Sequence, residues 1–153
     1  MEYINHLDEA KEELKRADHL IYTSLKYTKT VDVIKITIQR LINAFDFAIL
    51  DVLEYAKKKK KIKSIPLSPI MRTEILKNLI KNEILDDFID FYFLLKKIDK
   101  ADFGKKEEYR KNVTLIAFTH PDHININIET LKAFFEKTKR FKEFIQTWEE
   151  END

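Results

Sequence analysis

The chain has 153 residues, with 28 Lys and Arg against 27 Asp and Glu, a net charge of +1, one glycine and no cysteine. This length predicts one domain, residues 1–153, that can bury a core. The single glycine excludes glycine-rich phosphate loops and dinucleotide-binding fingerprints. The lack of cysteine excludes disulfides, thiolate nucleophiles and iron–sulfur ligation.

Charged residues make up 36% of the chain, above the ~25% of an average domain. Together with abundant Lys, Glu and Ile, this fraction predicts surface ion pairs and a thermophilic source. The first residues lack the apolar core of a signal peptide, and no stretch approaches the ~20 apolar residues of a membrane span. We therefore expect a cytoplasmic protein with no membrane partner and no cofactor.

The first helix is predicted over about residues 4–27, where large and small apolar residues alternate along one stripe. Small residues on a seam allow a neighbouring helix to approach closely. We expect the opposite face to be solvated, since it carries Glu9, Glu12, Glu13, Lys15 and Arg16.

The second helix is predicted over about residues 31–59, capped by Thr30, with an unbroken apolar stripe that marks it as the central core helix. A second stripe on its other side combines apolar and hydrogen-bonding residues. Either another helix of the same chain covers this stripe, or a second copy does. We assign it as a partner interface, consisting of Ile36, Asn43, Asp46, Phe47 and Leu50.

A lysine run follows this helix, in which six of the seven residues from 57 to 63 are lysine. Basic clusters attract phosphate backbones, but runs of this kind also serve as solubilising helix ends. No aromatic residue is interleaved for base stacking. Weak nucleic-acid contact is predicted for Lys57, Lys58, Lys59, Lys60, Lys61 and Lys63.

Two more helices are predicted at about 69–81, after the cap Ser68 and Pro69, and at about 83–101. The first turns of the helix at about 83–101 carry three carboxylates that suit the helix dipole, Asp86, Asp87 and Asp90. Gly104 follows it and is predicted to be a left-handed cap.

After Gly104 the apolar period changes from helical to alternating. A β-hairpin is predicted over about 112–128, followed by a last helix over about 129–149. The predicted fold is mostly α: a bundle of four long helices and one short helix, with the hairpin inserted before the last helix.

The turn of this hairpin contains His120, Asp122 and His123. These residue types are sound ligands for zinc or another divalent ion. Two histidines in a proline-containing turn are not held on a rigid helix face, however, and Asp and His are common turn residues. A turn without metal is therefore the preferred interpretation.

The first two helices resemble the HEPN families, which are small helical bundles of prokaryotes that often dimerise. The resemblance lies in residues 12–20 and 41–48, and residues 16–48 also look like uncharacterised archaeal proteins. Catalytic HEPN ribonucleases carry an Arg followed after a few residues by a His. Here nine residues separate Arg110 from His120, and no His follows Arg140. The resemblance implies a helical bundle and dimerisation, without support for nuclease activity.

The sequence therefore predicts a non-enzymatic helical interaction module, homodimeric, with a protein or nucleic-acid partner. One alternative is an RNA-binding or RNA-cleaving factor that uses His19 or His120 with Arg16 or Arg110 and the lysine run. Another is a metal-binding protein that uses His120, Asp122 and His123.

Overall fold

The structure, a computed structural model, describes residues 5–153. The beginning of the first predicted helix, at residue 4, lies outside the described residues. The predicted fold class is confirmed, because the chain forms a helical bundle with an antiparallel sheet before the last helix.

The elements follow the predicted order closely. They are α1 (His6–His19), a π-helical segment (Leu20–Ser24), α2 (Leu25–Tyr27), α3 (Val31–Lys58), α4 (Pro69–Leu79), α5 (Glu83–Lys100), β1 (Asp102–Lys106), β2 (Thr114–Phe118), β3 (His123–Ile126) and α6 (Ile128–Glu151). The backbone stays helical from α1 through the π-helical segment into α2, so these three form one continuous helical segment. Over residues 5–153, none of the helices combines the length and apolar character needed to cross a membrane.

Each long helical segment begins after a polar side chain that accepts hydrogen bonds from the first turn. Such caps satisfy backbone N–H groups that have no partner within the helix. The two caps predicted from the sequence, Thr30 and Ser68, accept from the N–H groups of Val33 and Met71. The others are Asn5, Asn82 and Asn127.

The core is organised around α3, as its apolar stripe predicts. The ring of Phe45 is fully buried and lies 4.4 Å from the ring of Phe141 in α6, measured between centroids. It lies 5.5 Å from Tyr92 and 5.9 Å from Phe91, both in α5. Aromatic pairs at these separations stabilise a core beyond the area that they bury.

The sheet has three strands in the order β1-β2-β3, all antiparallel. The predicted hairpin corresponds to β2 and β3, whose buried residues Leu115, Ala117 and Ile126 join the helical core. The first strand, β1, was not predicted, because its sequence Asp-Phe-Gly-Lys-Lys has no alternating apolar pattern.

The predicted role of Gly104 as a left-handed helix cap is wrong. No described glycine has a positive φ, and Gly104 lies inside β1 opposite Ile116. Helix α5 ends without it, because the N–H of Ala101 bonds to the carbonyls of Lys97 and Ile98. A Cβ at position 104 would lie 3.3 Å from the ring of Phe118, so the glycine gives room for that ring on an edge strand.

We expect Phe118→Ala to lower the free energy of unfolding by about 1 kcal/mol, because the ring covers the backbone at Gly104, its diagonal neighbour on the adjacent strand. Urea denaturation measures the change. The matched control is Tyr27→Ala, since Tyr27 is 78% exposed against 41% for Phe118. A surface aromatic should change stability by less than about 0.5 kcal/mol, and an equal loss in both variants would contradict a role for Phe118 in the sheet.

Candidate functional site

Contacts within the chain occupy part of the predicted partner stripe. Asp46 accepts a hydrogen bond from the Tyr92 hydroxyl of α5, and the ring of Phe47 stacks on His6, with 6.5 Å between centroids. Ile36 remains 42% exposed, while Asn43 and Leu50 are half-buried. A second copy would therefore meet Ile36, Asn43 and Leu50 more readily than the whole stripe, and homodimerisation stays a prediction.

Asp46 belongs to a polar cluster between α3, α4 and α5. Burial raises the pKa of Asp46, against the opposing effects of the Tyr92 hydrogen bond and of Lys96 and Arg72. Burial, and then the hydrogen bond to Asp46, also raise the pKa of Tyr92, so the hydroxyl stays a proton donor. The ammonium of Lys96 lies 3.5 Å from this hydroxyl. The cluster thus joins α3 and α5.

A groove of about 340 Å³ lies between the first helical segment and α3. Its lining is basic except for two aliphatic side chains. We call it the α1–α3 groove, and it consists of Lys15, Arg16, His19, Leu20, Ile36 and Arg40.

A buried glutamate organises the two arginines of the groove. Glu13 is only 5% exposed, so its predicted place on a solvated face is wrong. Arg16 donates from Nη1 to Glu13 Oε1 at 3.0 Å, and Arg40 donates from Nη1 to Glu13 Oε2 at 3.3 Å. One carboxylate therefore holds a guanidinium from α1 and another from α3, which limits the rotamer freedom of both.

The place of Arg40 in the groove and the burial of Glu13 were not predicted from the sequence. A signal for Glu13 exists, since it lies three residues after Ala10 and four before Ala17, both in the small-residue seam. That spacing places it on the face that meets a neighbouring helix. No comparable signal links Arg40 to Glu13, which is 27 residues away in the chain.

The arrangement suits a ligand with both acidic and apolar groups. Each guanidinium has five N–H donors, so the bond to Glu13 leaves others for a carboxylate or phosphate. Lys15 adds charge from an exposed position, where its ammonium is 3.6 Å from Glu12 Oε1. Leu20 and Ile36 supply the apolar part of the lining.

The lysine run lies at the end of α3 and in the loop that follows, and all six lysines are exposed. Two of them face the end of α6. Lys58 and Lys59 line a cleft of about 420 Å³ together with Glu149 and Asp153, and Lys59 Nζ lies 3.9 Å from Asp153 Oδ1. The acidic end of the chain therefore neutralises part of the run.

A pair of carboxyl groups lies beside this cleft. Asp51 is 1% exposed, and its Oδ1 accepts a hydrogen bond of 3.0 Å from the backbone N–H of His6. Burial, and then the hydrogen bond to Asp51 and its negative charge, raise the pKa of Glu149 to about 9. At neutral pH Glu149 is therefore protonated and donates to Asp51 between α3 and α6.

The other predicted residue groups do not converge. Across residues 5–153, no group of three or more His, Asp or Glu side chains is placed to hold a metal ion. The residues His120, Asp122 and His123 are each exposed to solvent. Arg110 precedes β2 and His120 follows it, so roughly 13 Å of extended strand separates them. By contrast, Arg16 and His19 do lie together, in the α1–α3 groove.

Comparison of the chain with family models, curated proteins and solved structures gave no match. The resemblance to HEPN families therefore stays a prediction.

The proton shared by Glu149 and Asp51 predicts a pH dependence of stability. With a pKa of about 9 in the folded chain against an ordinary 4.5, the folded state holds an extra proton between these pH values. Stability should therefore fall as pH rises from about 5 to 9, by at most about 1.4 kcal/mol per pH unit for one proton.

Glu149→Gln should flatten this slope, because glutamine does not titrate. Denaturant midpoints at several pH values measure it. Glu150→Gln is the matched control, since its side chain is exposed one residue away. The pKa of Asp46 is also raised, but Asp46 contributes equally to the pH dependence of the wild-type chain and of both variants. Equal slopes in the wild-type chain and Glu149→Gln would refute the shared proton.

Proposed function

We propose that the protein is a non-enzymatic interaction module whose α1–α3 groove binds an acidic, amphipathic segment of a partner protein. The observation that carries the proposal is the buried Glu13 carboxylate, which holds Arg16 and Arg40 at the same groove from two different helices.

Pre-organisation of the two arginines favours binding in this groove. Ordering a long side chain on binding costs free energy, and Glu13 has already ordered two guanidiniums in the unbound chain. A partner carboxylate can then accept two parallel N–H bonds from one guanidinium. Leu20 and Ile36 offer contact for an aliphatic side chain on the same face of the partner, as in recognition of an amphipathic helix by a groove.

The composition of the groove favours a protein partner over nucleic acid. None of its six lining residues has a benzene or indole ring, and sequence-tolerant binding of single strands depends on stacking of bases on such rings. The aliphatic residues of the groove match aliphatic side chains better than the polar edges of bases.

Three further predictions from the sequence are part of this proposal. They are membership of a HEPN-like family in an archaeal, heat-adapted source, a cytoplasmic location, and homodimerisation.

The proposal is tested with a designed helical peptide that has leucine at every third or fourth position and glutamate at the others. We expect fluorescence anisotropy to show that the peptide binds the wild-type chain. Its affinity should fall about tenfold in the double variant Lys15→Glu, Arg40→Gln, because the ammonium of Lys15 and the guanidinium that Glu13 holds are lost. Lys139→Glu, at an exposed position on α6, makes the same charge change as Lys15→Glu and is the control for altered surface charge.

Two results would contradict this assignment of the groove. One is an equal loss of affinity in Lys139→Glu, which would indicate attraction by overall charge alone. The other is undiminished binding of a control peptide in which every leucine is replaced by serine, because the aliphatic lining would then have no role.

RNA cleavage is a second candidate function, favoured by the presence of His19 beside Arg16 and Arg40 in one groove. An imidazole can transfer protons near neutral pH, and guanidinium groups stabilise the charge that develops on a phosphate. If the chain cleaves RNA, His19→Ala should reduce the rate at least about 100-fold. His123→Ala, exposed in the sheet, should not, and a chain with no cleavage activity would refute this second candidate.

A further inference from the structure

The loop between α3 and α4 and the first turn of α4 expose aliphatic side chains to an unusual degree. Leu67 is 89% exposed, Ile70 64% and Met71 57%. We call these three residues, together with the lysine run from Lys57 to Lys63, the α3–α4 apex. Neighbouring exposed aliphatic residues of this kind are typical of interaction surfaces.

The loop that carries these side chains is anchored by packing and hydrogen bonds. Ile62 and Ile65 pack against the hydrophobic core, and Arg72 Nε donates to the carbonyl of Pro66 at 2.7 Å. The side chain of Ser68 caps α4 by accepting from the N–H of Met71. The exposed aliphatic residues are therefore presented by a fixed backbone, while the apolar residues that the core needs point inward.

The apex also carries positive charge that the rest of the described chain does not neutralise. Lys59 pairs with Asp153 and Lys58 lines the cleft beside it. Lys57, Lys60, Lys61 and Lys63 are exposed, and none of the ion pairs found among residues 5–153 includes one of these four.

We propose that the α3–α4 apex docks on the surface of an anionic lipid bilayer. The lysines approach lipid phosphates, and Leu67, Ile70 and Met71 enter the boundary between headgroups and acyl chains. One weak signal rarely holds a protein on a membrane, whereas a basic cluster combined with an apolar insertion does. The apex places both signals within the 15 residues from Lys57 to Met71.

The side chains of the apex distinguish this partner from RNA. Leu67, Ile70 and Met71 are aliphatic and cannot stack on bases, which is the usual apolar contribution to single-strand binding. A bilayer accepts aliphatic chains directly. This surface contact differs from spanning, which no described helix can achieve, and it departs from the expectation from the sequence that the protein has no membrane partner.

Vesicle flotation of the full chain tests the proposal with two lipid compositions. One is phosphatidylcholine alone, and the other contains about 30% phosphatidylglycerol as the anionic lipid. We expect binding to the anionic vesicles, weakened by added salt, and none to the neutral vesicles.

Two double variants separate the two contributions to binding. One combines Leu67→Ser with Ile70→Ser, and the other combines Lys60→Glu with Lys61→Glu. Each double variant should reduce vesicle binding about tenfold or more. All four positions are exposed, so circular dichroism should show intact folding. The controls are Ile84→Ser, at a residue 57% exposed on α5, and Lys139→Glu with Arg140→Glu, which makes the same change of net charge at exposed positions on α6. Both should bind as the wild-type chain does.

Three outcomes would overturn the proposal. The first is no binding to anionic vesicles. The second is full binding by Leu67→Ser with Ile70→Ser, which would reduce the effect to charge alone. The third is a wild-type chain that binds RNA but not vesicles and that loses the RNA binding in Lys60→Glu with Lys61→Glu. The apex would then be a nucleic-acid contact.

Discussion

The burial of Phe45 against α5 and α6 is the constraint on which the rest of the structure depends. Its ring is fully buried and contacts Phe91, Tyr92 and Phe141. Because successive residues of a helix point about 100° apart, fixing Phe45 also fixes the directions of its neighbours. Asp46 is then directed to Tyr92 of α5, and Phe47 to His6 at the start of α1. This rotation of α3 also brings Arg40 to Glu13 of α1.

Central placement of α3 forces polar groups into partly buried positions, and each has a partner that matches its charge state. Glu13 lies between two guanidiniums, whereas Glu149 is neutral beside Asp51 because burial and a second carboxylate disfavour its charge. The same helix therefore contributes Arg40 to an ionic bridge in its N-terminal half and Asp51 to a pH-sensitive contact in its C-terminal half.

The helices and the hairpin could be predicted because their signals are local. The three-and-four spacing along α3 and the alternation of Ile124 and Ile126 each lie within one element. The strand β1 gives no such signal, since its glycine is explained only by the ring of Phe118 on the next strand. For the same reason the α1–α3 groove could be predicted only in part. Arg16 and His19 share one helix face, but their meeting with Arg40 and Ile36 depends on how two helices pack.

The two proposed surfaces lie at different levels of α3. Ile36 and Arg40 belong to its first half, and the lysine run begins at its last residues. At 1.5 Å per residue, about 26 Å of helix separates Arg40 from the start of the run, more than the roughly 8 Å over which salt screens surface charges at physiological ionic strength. The positive charge of one surface therefore has little effect on ligands at the other. Occupation of the apex by a bilayer would leave the groove's Glu13 bridge unchanged, so a partner segment can bind there while the chain is docked.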